Sequence, residues 1–223
     1  GGWIWQPTAR LLRQAGHTVY APNSDGCAER KAAVRAGITV TTAAQELAEL
    51  VFYEDLKDVV LVGTSTGGLI LEKLATLVRD RLQHLVFLDA LVPMPGESIK
   101  DIVKRPDAPP YGLTAFTRAP TREDLENGLF AGLTGAVKVW AMDRSTPHPL
   151  GLSDAQPGEL DDFWAGSWHA AVIRCTESRN PPESHQRRTS ETLKAPYIEM
   201  PVGHYPMLTH PEETASLLQD LPQ

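Results

Sequence analysis

The stretch Val59-Val60-Leu61-Val62-Gly63-Thr64-Ser65-Thr66-Gly67 decides how this chain is read. Its first four residues form a continuous apolar run, as expected for a strand buried on both faces. Gly67 to Asp80 reads as a helix. Between strand and helix stands Gly63-Thr64-Ser65-Thr66-Gly67, a G-x-S-x-G motif in the context that gives the motif chemical meaning. A tight strand-to-helix turn holds the serine in a strained backbone conformation. The glycines two before and two after are expected to keep neighbouring chain from clashing with it. The start of the helix aims backbone N–H groups and a positive dipole end at any oxyanion that develops there. Ser65 is therefore the candidate nucleophile, and the backbone N–H of Thr66 a candidate oxyanion donor.

A serine hydroxyl is a weak nucleophile at neutral pH, so an imidazole must take its proton. Of the seven histidines, His204 in Pro201-Val202-Gly203-His204-Tyr205-Pro206 follows the last expected strand and precedes the last helix. In the chain order Ser…acid…His, that is where the base belongs. His210 is the fallback, at the start of the last helix. His17, His84, His148, His169 and His185 read as structural or solvated, with substrate contact left open for His148 in the cap. Two carboxylates satisfy the chain order for the acid. Glu177 follows one expected strand, and Asp89 ends another; both stay open.

Outward from the motif, strands and helices alternate. Pro7 to Ala15 reads as a helix, Thr18-Val19-Tyr20-Ala21 as a short strand, and Thr42 to Val51 as a helix capped by Thr41 or Thr42. Leu85–Leu88, Ala170–Cys175 and Tyr197–Met200 read as strands; Glu183–Leu193 and Pro211–Leu218 read as helices. This is an α/β pattern with a mostly parallel sheet flanked by helices. The rhythm breaks after Pro93. A stretch as long as 99–168, rich in Pro and Gly with helical pieces such as Thr121 to Phe130, is not a plain loop. It is read as a cap inserted into a core made of residues 1–98 and 169–223. Its aromatic residues Phe116, Phe130, Trp140, Trp164 and Trp168 either line an apolar pocket or form the cap's own core. Thr64, Trp140, His148, Trp164 and Tyr205 are the candidate pocket residues.

Composition removes several classes of function. The 223 residues carry a formal net charge of −7 and no Lys/Arg run, so a nucleic-acid partner has no electrostatic footprint. No apolar run reaches the ~18 residues of a membrane span. The two cysteines, Cys27 and Cys175, lie far apart without metal-type spacing and read as buried thiols of a reducing, cytoplasmic compartment. No metal or organic cofactor is implied.

Gly2-Trp3-Ile4-Trp5, the run Gly16 to Pro22 and the run Glu54 to Gly63 resemble the α/β-hydrolase family of bacterial esterases, related to plant methyl esterases and hydroxynitrile lyases. Leu88-Asp89-Ala90-Leu91-Val92-Pro93 with Gly96-Glu97-Ser98, and Gly203-His204 with Met207-Leu208, extend the likeness over nearly the whole chain. The resemblance implies the α/β-hydrolase fold and a small-molecule ester cleaved through an acyl-enzyme by a Ser-His-acid triad. It also admits a ligand-binding protein, or a lyase or cyclising enzyme, on the same scaffold.

Four departures from the family pattern shape the expectations. The family opens with a strand and an H-G-x-x-H-G-G-W loop carrying the second oxyanion donor. Only its tail, Gly1-Gly2-Trp3, is present, so the N-terminal strand is expected to be missing from this chain. One such donor is worth about 3 kcal/mol of barrier. Thr64 and Thr66 replace the usual His and aromatic beside the serine. Ser178 falls where the plant esterases place an Asp, one residue beyond Glu177. Tyr205 stands where hydroxynitrile lyases carry a Lys, which argues against cyanohydrin cleavage.

Overall fold

A computed structural model describes residues 1–103 and 112–221. The main elements are α1 (Gln6–Gln14), α2 (Val40–Tyr53), β1 (Val59–Ser65), α3 (Gly67–Leu77), β2 (Leu82–Ala90), α4 (Gly135–Arg144), β3 (Ala170–Cys175), α5 (Glu183–Leu193), β4 (Tyr197–Met200) and α6 (Pro211–Gln219). They divide between two compact units. One holds the described residues 37–103 and 150–201, the other 1–36, 112–149 and 202–221.

The first unit is built on a four-stranded parallel sheet in the order β1-β2-β3-β4. Its register is fixed by pairs such as Val62↔Val86, Phe87↔Val172 and Ile173↔Ile198. A parallel sheet needs helices across its faces, so its inner strands are buried on both. β2 shows this: every residue from His84 to Ala90 is buried. Leu85 and Phe87 pack with Leu71 and Ala75 of α3 and with Phe163. Ala44 and Val51 of α2 pack with Leu74 and Val78, with Leu61 of β1 against them.

α2 begins two residues earlier than the sequence reading places it. Thr39, extended at φ −134°, accepts from the Thr42 N–H at 3.1 Å, and the Thr42 hydroxyl accepts from the Thr39 N–H at 2.9 Å. This reciprocal pair satisfies two otherwise orphaned donors. The cap is therefore Thr39, with Thr42 as its partner, while the Thr41 hydroxyl bonds the Glu159 carboxylate.

In the second unit α1 packs against α6, and the Thr8 hydroxyl donates to the Met207 carbonyl at 3.0 Å. Among the described residues the expected strand Thr18–Ala21 joins no ladder. Its apolar alternation is strand-like, but a strand exists only with a partner. The Arg13 side chain donates to the Val19 carbonyl. The expected helix Thr121–Phe130 starts with a Thr121/Asp124 capping box, then widens to a π-helical turn at Leu125–Leu129. Gly112–Leu113, Thr117–Ala119 and His148–Pro149 form a small antiparallel ladder. The described residues of 99–168 are thus shared between the two units.

Cys27 belongs to the second unit and Cys175 to the first; both are buried and neither is in a disulfide. Burial pushes the Cys175 thiol well above its ordinary range. Among the described residues, no helix is long and apolar enough to cross a membrane.

Candidate active site

β1 ends on Ser65, which turns to φ +52° before Thr66 returns to φ −61° and α3 begins at Gly67. A positive φ costs a residue with a β-carbon roughly 1–2 kcal/mol. The Ser65 carbonyl accepts from the Leu91 N–H at 2.9 Å, tying the corner to the end of β2. The pairing is irregular between Thr64 and Ser65, so that Ser65 stands opposite Ala90.

Two glycines make this corner possible, and they are not both those of the motif. A β-carbon on Gly63 would lie 2.9 Å from the Gly67 carbonyl oxygen, and one on Gly68 2.1 Å from the Leu91 carbonyl oxygen. A β-carbon on Gly67 would meet nothing within 4 Å. The clash expected two residues after the serine thus falls three after it, because α3 presents Gly68 to the chain leaving β2. The Thr66 N–H stands at the N-terminal end of α3, where helical donors lack an internal partner. The Thr64 hydroxyl oxygen is buried without a hydrogen-bond partner.

Asp89 immediately precedes Ala90 on β2. It is fully buried and also has a positive φ, +46°. The Gln186 amide of α5 donates to its Oδ1 at 2.8 Å, and the Cys175 N–H of β3 approaches the same oxygen at 3.4 Å. Two adjoining parallel strands therefore present Ser65 and Asp89 at the same, C-terminal edge of the sheet, the edge where open α/β sheets bind ligands. Glu177 lies two residues beyond β3 and is exposed. Ser178 bonds the Asn180 carbonyl at 2.8 Å.

His204 sits in the second unit, on the short connection between Val202 and the helical turn at Pro206–Thr209. Its ring packs edge-on against Tyr205, at 4.8 Å between centroids, and Tyr205 packs on the buried Phe130 at 5.4 Å. Trp140 packs edge-on against Trp3 at 5.3 Å. The Nε2 atom of His148 is buried without a partner. Burial first, and then the Arg118 charge, pull this imidazole down to about 3, so it is neutral at physiological pH.

Trp164 belongs to the sheet unit. Its indole N–H lies 2.9 Å from the Pro93 carbonyl and 3.0 Å from Glu72, and its ring stands edge-on to Phe163. Trp168 stacks on Phe163 at 5.1 Å. These two aromatics act as packing and struts; Phe116 is exposed. A shallow groove of about 350 Å³, lined by Val51, Phe52, Tyr53, Leu77, Val78 and Arg81, lies at the opposite end of α3 from Ser65. Among the described residues no three His, Cys, Asp or Glu side chains gather as a metal site.

The family model described as the alpha/beta hydrolase family matches residues 1–217. The chain belongs to the α/β hydrolase family. Over 105 residues it is 34% identical to a carbendazim hydrolyzing esterase of Nocardioides sp. (strain SG-4G), a match covering 47% of this chain and 43% of that enzyme. It is 25% identical to the polyneuridine aldehyde esterase of Rauvolfia serpentina over 241 residues, covering 99% of this hydrolase-family chain and 91% of the relative. Among solved structures, an extracellular α/β-hydrolase from a Paenibacillus species superposes with a TM-score of 0.79 at 23% identity, covering 97% of this chain and 92% of the other. The fold expected from the sequence is therefore the observed one.

Proposed function

We propose that this α/β hydrolase cleaves a carboxylic ester of a small, largely apolar substrate through an acyl-enzyme. One observation carries the reading: Ser65 and Asp89 both occupy positive-φ positions at neighbouring strand ends, one buried acid beside one strained serine. Strain of this kind persists where the surrounding structure over-determines it, and it clusters at reactive sites. In the proposed mechanism Ser65 Oγ attacks the ester carbonyl carbon while His204 takes the hydroxyl proton. The tetrahedral oxyanion draws on the Thr66 N–H. Collapse breaks the ester C–O bond, His204 returns the proton to the leaving alcohol, and the acyl group stays on Ser65. Water, deprotonated by His204, then attacks the acyl-enzyme and releases the acid.

Asp89 is assigned as the acid in preference to Glu177. A triad acid works by holding the imidazole and stabilising its charge, which calls for a buried, anchored carboxylate. Asp89 is buried and bonded, whereas Glu177 is exposed. Trp140, His148, Tyr205 and Thr64 are the residues to vary for substrate preference.

A short-chain p-nitrophenyl ester assay tests the reading. Ser65→Ala is expected to lower kcat by at least about a thousand-fold. Asp89→Asn is expected to lower it on the order of 10³–10⁴-fold, as when a triad acid is neutralised. Glu177→Gln is expected to stay within about two-fold of wild type, because exposed charges contribute little. Wild-type turnover no faster than that of Ser65→Ala would sink the hydrolase reading and favour a ligand-binding role on the same scaffold.

A further inference from the structure

We propose that Gln186 is a positioning residue of this active site, locking the Asp89 carboxylate in the one orientation that can serve the imidazole. The proposal rests on the reading of Asp89 as the triad acid.

Gln186 lies in the first turn of α5 and is 1% exposed. Packing alone gives a poor account of an amide there. Its Oε1 atom is buried without a partner, and an unpaired buried polar atom is destabilising. A Leu or Met of similar volume would fill the space without that cost. The return comes through Nε2, which donates to Asp89 Oδ1 at 2.8 Å and to the Pro181 carbonyl at 3.1 Å. Two acceptors on one side settle which amide atom is nitrogen, since the flipped amide would set oxygen against both. The Pro181 bond in turn fixes the direction in which Nε2 points.

With the Cys175 N–H also aimed at it, Oδ1 is claimed by donors from α5 and β3. A carboxylate held through one oxygen is restrained from turning about its Cβ–Cγ bond. Losing the Gln186 donor would leave the longer Cys175 N–H contact on Oδ1, loosen that hold and leave the carboxylate more basic. A more basic carboxylate stabilises the imidazolium more strongly, so the base needs a higher pH to work.

The test is a cycle of wild type, Gln186→Met, Asp89→Asn and the double variant, assayed on a p-nitrophenyl ester across pH. Gln186→Met is expected to lower kcat on the order of ten-fold, in line with the loss of other orienting partners, with KM within about two-fold. The acid limb of its kcat/KM profile is expected to move to higher pH. In the Asp89→Asn background the same substitution is expected to add nothing, because its effect passes through Asp89. Wild-type kcat and pH profile in Gln186→Met, beside a crippled Asp89→Asn, would overturn the proposal and leave the triad reading intact. So would an equal loss in both backgrounds, which marks a merely structural role. Full activity in Asp89→Asn would refute the acid assignment itself, and the proposal with it.

Should Gln186→Met fail to fold, Gln186→Glu reads the same contact. Its carboxyl can donate to Asp89 only while protonated, so activity is expected to gain a new descending limb as pH rises. A profile without that limb overturns the proposal.

Discussion

Gly67 and Gly68 are adjacent, and space distinguishes them sharply. Gly68 faces the Leu91 carbonyl with no room for a methyl group, while Gly67 faces open space. Gly68→Ala is expected to destabilise the fold by about 1–3 kcal/mol, the usual range for overpacking. Gly67→Ala is expected to be neutral or to stabilise by up to about 1 kcal/mol, since alanine is the better helix former. Urea denaturation of both variants checks the contrast. At this scale the sharp corner at Ser65 was legible in the sequence, because the motif lies between a strand and a helix. The constraint on Gly68 was not, because the atom that excludes a side chain belongs to a residue over twenty positions away. Asp89 and Glu177 were equally eligible by chain order; burial separates them, and burial is a tertiary property.

At the scale of elements, α5 does more than cover the sheet. The Val92 N–H donates to His185 Nε2 at 3.0 Å, and Arg188 grips Glu97 through two bonds of 2.9 and 2.6 Å. The Met94 N–H bonds the same carboxylate, and the Trp164 indole reaches the Pro93 carbonyl. The chain leaving β2 is thereby strapped to α5 from Val92 to Glu97. Arg188→Ala is expected to cost about 1 kcal/mol, a figure that allows for partial solvent screening of the pair. The measurement is the chemical denaturation midpoint, with faster hydrogen exchange expected at Val92 and Met94. In the sheet unit Ala170–Cys175, Glu183–Leu193 and Tyr197–Met200 have the bounds read from the sequence, since apolar runs are local signals, whereas β2 extends past the expected Leu85–Leu88 to Leu82 and Ala90, and α3 stops at Leu77 rather than Asp80. Thr18–Ala21 failed because pairing is not local, and α2 began early because a reciprocal cap needs both Thr39 and Thr42.

At the scale of the molecule, buried titratable groups set opposing pH dependences. His185 is drawn down to about 4, first by burial and then by Arg188. Below its ordinary 6.5 the unfolded chain gains a proton that the folded chain refuses, so this group weakens folding as pH falls from 6.5 towards 4. Glu72, fully buried, is raised well above 4.5 by burial. There the folded chain keeps a proton that the unfolded chain sheds, so stability declines as pH rises above 4.5. Between 4.5 and 6.5 the two contributions offset one another. Glu72→Gln, a neutral stand-in for the protonated acid, is expected to gain at least about 1 kcal/mol at neutral pH, as expected when a buried charge no longer has to be avoided. Thermal melts from pH 4 to 8 would show the two curves converging at the acid end.

The distribution of the two thiols has a practical consequence. Each compact unit carries one buried cysteine, so the protein holds a clock in each half. A thiol reagent can reach Cys175 only when β3 leaves the sheet, and at reagent concentrations where labelling outpaces reclosing its rate is expected to equal the global opening rate of that unit. Cys27 times the other unit. Labelling of the two followed by mass spectrometry in dilute urea reads, from one sample, whether the halves open in one step or in succession.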